Sequence, residues 1–299
     1  MQTFNFKDYL ILVRLPNLFT LPSNVLVGYF MVSSMTMTSY VHQILLLVTI
    51  SILLYCVGLI LNDLCDYSID KKERPDRPLA SGKVSRRAAI GLVVTFSTLA
   101  LALSFIINIT TFVISSILLI TIFGYDKILK KTRAGPFTIG AARVMNVLLG
   151  ASVDFGNIGS YPQFIILTFV LSMTFVYVSL IGIISRYEVH GFPKDSKLLL
   201  IPAIVAAIIF LIGLFLIAGL FKYESLIMLV FFSFIMGITF YKFQKNDSVG
   251  IQRIVKNMIM SIIVLDSTFL SGIVGIEIGL VVMVLLAPLL ILARKMYMT

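Results

Sequence analysis

The sequence predicts an all-α, polytopic bundle of about nine to ten transmembrane helices. Of its 299 residues, 59% are hydrophobic and only 13% are charged, and the mean hydropathy is +1.03. Water-soluble domains do not combine so much apolar surface with so little charge. Several apolar runs approach the ~20 residues that a helix needs to cross the hydrocarbon core, and the alternating pattern of barrel strands is missing.

Ten apolar segments are predicted to cross the membrane. The first contains Pro16 and Pro22 and is not followed by a small-residue cleavage site, so we interpret it as a retained helix. No linker or shift in composition divides the sequence, and we expect one domain over residues 1–299. The predicted spans are 14–34, 43–63, 87–107, 111–129, 136–153, 162–185, 197–220, 224–243, 254–272 and 276–294.

The distribution of basic residues predicts the orientation of these spans. All 24 Lys and Arg residues except Arg143 and Lys222 lie on one side, in or at the borders of the two terminal segments and the loops after even-numbered spans. Basic loops stay in the cytoplasm by the positive-inside rule. We therefore expect a multi-pass protein of the inner cell membrane with cytoplasmic termini, unless the last two helices form a re-entrant pair. The net charge of +10 then reflects topology rather than nucleic-acid binding.

An acidic cluster follows the second span, where Asn62–Asp70 reads NDLCDYSID. Asp63, Asp66 and Asp70 stand at i, i+3 and i+7 and fall within about 60° of one another on a helix. A carboxylate in a membrane costs roughly 2.5–3.5 kcal/mol, so a cation must offset the cluster. Magnesium prefers oxygen ligands and bridges carboxylates to phosphates. We predict Asn62 and the three aspartates as magnesium ligands.

A basic segment follows directly and can bind a diphosphate. Arginine forks bind phosphate oxygens in a bidentate manner, while Pro75, Pro78 and Gly82 break the helix and can fold the segment back over the acids. An amphipathic loop on anionic lipid is the structural alternative. The basic residues concerned are Lys71, Lys72, Arg74, Arg77 and Lys83.

These two segments together resemble the first aspartate-rich signature of the UbiA superfamily of intramembrane prenyltransferases. That signature reads NDxxDxxxD and then RPLxSG, and Glu73–Gly82 here reads ERPDRPLASG. The resemblance implies magnesium-dependent transfer of a prenyl group from a prenyl diphosphate to an acceptor. It implies catalytic roles for Asp66 and Arg77, with Asn62, Lys71 and Arg74 binding the substrate.

The second acidic motif departs from the family pattern. Typical members carry DxxxD after helix six, whereas Ser185–Gly191 reads SRYEVHG. Glu188 is therefore predicted as the one acidic residue, both catalytic and metal-binding, with Arg186 on the substrate and His190 as a weaker candidate. The SRxEV form, together with ARVMNVLLG at Ala142–Gly150, resembles the EboC-like branch. Whether a second magnesium ion binds stays open.

Polar residues inside other spans complete the candidates. Arg143 and Asn146 share a helix face, so we predict Arg143 as catalytic and Asn146 as substrate-binding, with an interhelical hydrogen bond as the alternative. Asp266 is expected to face inward, either catalytic or paired. Arg14 and Asn17, at the start of the first span, can approach the same cytoplasmic-side cavity as the acidic cluster. The segment from Tyr125 resembles the family's tyrosine-then-basic segment. That segment contains Asp126, Lys127, Lys130 and Lys131, of which we predict Lys127 and Lys131 as substrate-binding.

Two other classes of function explain part of the same pattern. A transporter can use buried acids as an ion path, but it does not account for the basic segment beside them. A non-catalytic prenyl-lipid binding protein predicts binding without turnover. The expected partners are a prenyl diphosphate, an unidentified acceptor and membrane lipids, with no nucleic acid and no obligate protein partner. Prenyl chain length and oligomeric state are left open.

Overall fold

The computed structural model describes residues 5–32, 41–157, 161–188, 200–241 and 248–294, and all regular structure within these ranges is helical. The helices are α1 (Phe6–Leu12), α2 (Leu15–Leu18), α3 (Leu21–Val32), α4 (Val41–Cys65), α5 (Tyr67–Glu73), α6 (Arg86–Ile107), α7 (Ile109–Gly124), α8 (Gly135–Ala151), α9 (Tyr161–Ser185), α10 (Leu200–Ile217), α11 (Ser225–Tyr241), α12 (Ser248–Ile273), α13 (Ile276–Met283) and α14 (Leu286–Ala293). A π-helical turn, Tyr125–Leu129, extends α7, and a 3₁₀ segment, Ser152–Asn157, follows α8.

The predicted all-helical class is confirmed. Within the described ranges, nine helical stretches are long and apolar enough to cross a membrane. Helix α11, with 17 residues, corresponds to the predicted span 224–243 and is apolar but shorter, which accounts for the difference between the nine stretches and the ten predicted spans. The first stretch combines α2 with α3, and the last combines α13 with α14. The chain is an integral membrane protein.

Close approach of helices near the centre of the bundle depends on glycine. A Cβ atom on Gly28 of α3 would lie 1.8 Å from the Val147 carbonyl oxygen of α8, and one on Gly150 would lie 2.0 Å from the Val25 carbonyl oxygen. Small residues at such positions allow the van der Waals packing that associates helices in lipid, where no hydrophobic force acts between them. The two glycines therefore fix the distance between α3 and α8.

Helix ends converge at one end of the bundle and carry most of the charged side chains. There α4 ends, the π-helical turn follows α7, and α9 ends. Arg14, which precedes α2, lies at the same end and has a left-handed φ of 44°. Contacts among these ends, given below, bring the acidic and basic segments together. The opposite end holds Lys222 beside an open cavity of about 510 Å³ that Phe30, Gln163 and Gly272 also line.

Candidate functional site

The acidic cluster is buried and held by arginine. Asp63 and Asp70 are only 5% and 6% exposed. One nitrogen of Arg77, Nη1, donates to Asp63 Oδ1 at 3.2 Å and to Asp70 Oδ2 at 2.7 Å. Arg14 Nη2 lies 3.9 Å from the same Asp63 oxygen. These contacts agree with the expected shared face, although the helix is interrupted at Asp66, between α4 and α5.

The basic segment folds back over the end of α4, which explains how Arg77 reaches the acids. Leu79 and Val84 are 2% and 1% exposed and pack in an apolar cluster with residues of α1, α4 and α6. Gly82 has a φ of 80°, a conformation that glycine adopts without steric cost. Ser85 then caps α6 by accepting a hydrogen bond from the Ala88 amide at 3.1 Å. The segment is thus anchored on both sides of the glycine.

Lys130, which follows the π-helical turn after α7, contacts Asp66, the middle aspartate of the cluster. Lys130 Nζ donates to Asn62 Oδ1 and forms an ion pair with Asp66. The π-helical turn before it closes with a hydrogen bond from the Lys130 amide to the Tyr125 carbonyl at 2.8 Å. A π turn adds a residue to the helical repeat and so changes which side chains face inward. Lys127 and Lys131, the two lysines predicted from the sequence, are exposed instead.

The second segment approaches the same end of the bundle from α9. Glu188 is 7% exposed, and its Oε1 has no hydrogen-bond partner among the residues that the structure describes. Burial raises the pKa of its carboxyl to about 7 against the opposing charges of Arg74 and Arg14. Arg186 donates to the Lys130 carbonyl at 3.4 Å and to the Thr132 carbonyl. It therefore supports the turn that carries Lys130. His190 lies outside the described residues.

Lys71 and Arg74, both predicted to bind substrate, take different positions. The Lys71 ammonium lies 4.8 Å from the centroid of the Tyr67 ring, a cation–π distance, and the side chain is exposed. Arg74 is partly buried and acts on Glu188 through its charge. The charge of Arg74 thus favours the ionised form of Glu188, whereas Lys71 stays at the surface.

Arg143 and Asn146 belong to a separate polar network within the bundle. Arg143 donates to Asn24 Oδ1 at 2.7 Å and to Thr20 Oγ1 at 2.5 Å. Asn24 in turn donates to Asp266 Oδ2 at 2.7 Å. Asn146 accepts a hydrogen bond from Ser51 at 2.5 Å. These bonds join α3, α4, α8 and α12, and the described contacts do not connect Arg143 to the acidic cluster.

The described side chains suit magnesium by chemistry, although they do not form a ready-made cage. Among these residues, no three His, Cys, Asp or Glu side chains are close enough to hold a metal ion. Protein cations neutralise Asp63, Asp66 and Asp70. All candidate ligands are oxygens, the type magnesium prefers, and magnesium needs only one or two carboxylates when phosphate supplies other ligands. The Asp126 Oδ1 and Glu188 Oε1 atoms are also buried, and no described residue forms a hydrogen bond with either of them, so the donor set fits the ion.

Residues outside the predicted set also enter the site. Lys130 and Arg14 contact the acids directly, yet the sequence pattern indicated only that they lie nearby. Asp126 was visible as an acid in an apolar span, which is by itself a signal of an inward position. Thr20, Ser23 and Asn24 carry no charge, and their part in the Asp266 network had no signal in the sequence.

The chain is similar to known proteins in sequence and in structure. The model of the UbiA prenyltransferase family matches residues 22–263. A protein from Saccharolobus solfataricus named digeranylgeranylglyceryl phosphate synthase is 32% identical over 152 residues, which are 50% of this chain and 53% of that protein. The matched region thus spans about half the length of such relatives. Similarity to the EboC-like branch stays a prediction.

Solved structures share the fold. A UbiA homolog from Aeropyrum pernix K1 superimposes with a TM-score of 0.69 at 16% identity, covering 89% of this chain and 97% of that one. A UbiA homolog from Archaeoglobus fulgidus bound to GPP and Mg2+ gives 0.64 at 15% identity, covering 92% and 99%. At these identities the likeness concerns the arrangement of helices alone.

Proposed function

The chain belongs to the UbiA prenyltransferase family, and we propose on that basis that it transfers a prenyl group from a prenyl diphosphate to an acceptor within the membrane, with Mg2+ as cofactor. One observation carries the proposal most strongly. Asp63, Asp66 and Asp70 lie together at the end of an apolar bundle, and Arg77 and Lys130 already contact them. Acids and cations in such proximity suit a metal-bound diphosphate.

Each charged group has a proposed task. Asn62, Asp63, Asp66, Asp70 and Glu188 hold the magnesium, which when bound supplies positive charge against the departing diphosphate. Arg77 and Lys130 exchange their present carboxylate contacts for diphosphate oxygens, and Arg74 and Arg186 act from the second segment. Lys71, Lys127 and Lys131 draw the anionic substrate toward the site from exposed positions. Arg143 and Asn146 hold α8 against the neighbouring helices through their hydrogen bonds.

The proposed reaction breaks the bond between C1 of the prenyl group and the diphosphate oxygen. The electron pair leaves with the diphosphate, and an allylic carbocation remains. The acceptor then donates an electron pair to C1 and releases a proton. Fixed positive groups that face the leaving oxygens stabilise this charge separation most where water is excluded. No covalent intermediate with the protein is required.

The acceptor and the location are further parts of the proposal. The relatives named digeranylgeranylglyceryl phosphate synthase make a prenylated glyceryl phosphate the first acceptor to test. We place the protein in the inner cell membrane as a single domain, with the acidic cluster at the cytoplasmic side, on the strength of its basic loops. Neither nucleic acid nor an obligate protein partner is needed for this activity.

A transfer assay separates this proposal from its rivals. Membranes containing the chain are incubated with radiolabelled prenyl diphosphates, a prenylated glyceryl phosphate and a lipid extract. We expect magnesium-dependent release of pyrophosphate and a labelled lipid, both lost in Asp66→Asn and kept in Glu277→Gln, an exposed acid at the far end of the bundle. Ion flux that survives Asp66→Asn without transfer would support a transporter. Prenyl diphosphate binding without any turnover would support a binding protein.

A further inference from the structure

Asp126 is a buried carboxylate without an ion-pair partner in the described part of the chain. The residue is 7% exposed, and none of the described residues forms a hydrogen bond with its Oδ1 atom. The ion pairs found among the described residues involve Asp63, Asp66 and Asp70 and leave Asp126 out. Burial of a charged group is costly unless a cation or a set of hydrogen bonds compensates it. The described residues do not supply that compensation by direct contact with Oδ1.

The position of Asp126 brings it to the acidic cluster from a different helix. It lies in the π-helical turn after α7, four residues before Lys130, which pairs with Asp66. This turn packs against α4, the helix that ends in the acidic cluster. Burial is the main influence on the Asp126 carboxyl, and the charges that also influence it are those of Lys130, Asp66, Asp63 and Arg14. Two of these four belong to the predicted metal ligands. A cation held by the cluster would therefore also lie near Asp126.

The second acidic segment lacks ligands at the same end of the bundle. Where the family pattern has two aspartates, this chain has Glu188, whose buried Oε1 has no hydrogen-bond partner among the described residues. The neighbouring Arg186 donates to the Lys130 carbonyl, so this segment lies at the same end of the bundle as the π-helical turn. Two carboxylate oxygens without a partner in the described ranges, one after α7 and one after α9, thus lie at this end. Oxygen ligands of this kind are what magnesium prefers.

We propose that Asp126 is an acidic ligand of the magnesium–diphosphate complex that lies outside both aspartate motifs and replaces a carboxylate missing from the second one. This inference rests on the proposed function, because it needs a metal-bound prenyl diphosphate at the cluster. It explains why a carboxylate is buried in the π-helical turn with no protein cation bonded to it. It also assigns the turn a second task beside the placement of Lys130.

Direct measurement of metal binding tests the inference. The full chain in detergent is titrated with Mn2+ in the presence of geranyl thiolodiphosphate, and free Mn2+ is followed by electron paramagnetic resonance. We expect Asp126→Asn to weaken Mn2+ binding at least about tenfold, Asp126→Glu to restore most of it, and Glu277→Gln to bind as the wild type does. Thermal unfolding without metal should be unchanged or slightly improved in Asp126→Asn, since a neutral side chain of equal size replaces a buried charge.

The outcomes separate the two levels of the argument. Wild-type affinity in Asp126→Asn, with normal binding by the parent chain, would overturn the role of Asp126 and leave the proposed function intact. Failure of the wild type itself to bind Mn2+ with the diphosphate would overturn the proposed function, and the inference with it. Weaker binding that Asp126→Glu does not restore, together with a lower unfolding temperature, would assign Asp126 a purely structural role and so refute the inference.

Discussion

Arg77 bonds to two buried carboxylates at once, so its removal should expose the cost of the acidic cluster. The side chains of Arg77, Asp63 and Asp70 are 17%, 7% and 8% exposed. Loss of one partner from a buried ion pair costs about 3–5 kcal/mol. Because Asp63 keeps Arg14 at 3.9 Å, we expect the lower end for Arg77→Gln, about 3 kcal/mol. For a chain of this length that lowers the unfolding midpoint by roughly 6 °C.

Magnesium should reverse part of this loss if the cluster binds a divalent cation. In the wild type, Arg77 competes with the metal for Asp63 and Asp70, whereas Arg77→Gln frees Asp70 and leaves Asp63 with Arg14 alone. Millimolar Mg2+ without diphosphate should therefore raise the midpoint of Arg77→Gln by several degrees and that of the wild type by less. Lys72→Gln is the matched control, because Lys72 is an exposed cation on the same short helix α5.

The chain allows a direct assay of this prediction. It contains no tryptophan and two cysteines, of which Cys56 is buried and Cys65 exposed. In a Cys65→Ser background, a thiol-reactive fluorescent dye reports unfolding through Cys56 alone. An equal rise of the unfolding midpoint with magnesium in Arg77→Gln and in the wild type would show that Arg77 does not compete with the metal for the carboxylates.

Three further variants test other contacts. Lys130→Met should lower kcat/KM for the prenyl diphosphate about 100-fold or more, whereas Arg133→Met, in the exposed loop between the π-helical turn and α8, should change it less than about threefold. Equal effects of the two substitutions would contradict the placement of Lys130. Gly150→Ala should destabilise the protein by about 1–3 kcal/mol in thermal unfolding, because the new Cβ would clash with the Val25 carbonyl. The control Gly91→Ala, with open space around the glycine, should be neutral or stabilising by up to about 1 kcal/mol. Arg143→Gln removes three hydrogen bonds to Thr20 and Asn24, so at about 0.6 kcal/mol for each bond the protein should lose about 2 kcal/mol of stability, with KM for the diphosphate unchanged. A raised KM at unaltered stability would instead support a role of Arg143 in substrate binding.

The acidic cluster and its basic segment could be predicted because their geometry is local. The i, i+3 and i+7 spacing of Asp63, Asp66 and Asp70 places them near one another on any helix-like backbone, even with the interruption at Asp66. Pro78 and Gly82 indicate a reversal of the chain, and Arg77 is then close enough to bond to the acids. Apolar length alone is enough to predict the spans.

The lysine that contacts the cluster could not be chosen from the sequence. Lys127, Lys130 and Lys131 follow one another closely, and a regular helical repeat does not distinguish which of them faces inward. The π-helical turn decides the matter, and it is closed by backbone bonds for which no residue pattern is diagnostic. The hydrogen bonds of Arg143 to Thr20 and Asn24 join residues that are far apart in the sequence, so they could not be predicted either. A charge inside a span predicted an inward side chain but not its partner.

Equilibrium binding is the direct test of the proposal that the acidic cluster holds a magnesium-bound prenyl diphosphate. Isothermal titration of the purified full chain with geranyl thiolodiphosphate should give saturable binding in Mg2+, with one site per chain. Chelation of the metal or the Asp66→Asn substitution should weaken it at least about tenfold, and Glu277→Gln should leave it unchanged. Binding of equal strength in all four cases would contradict the account.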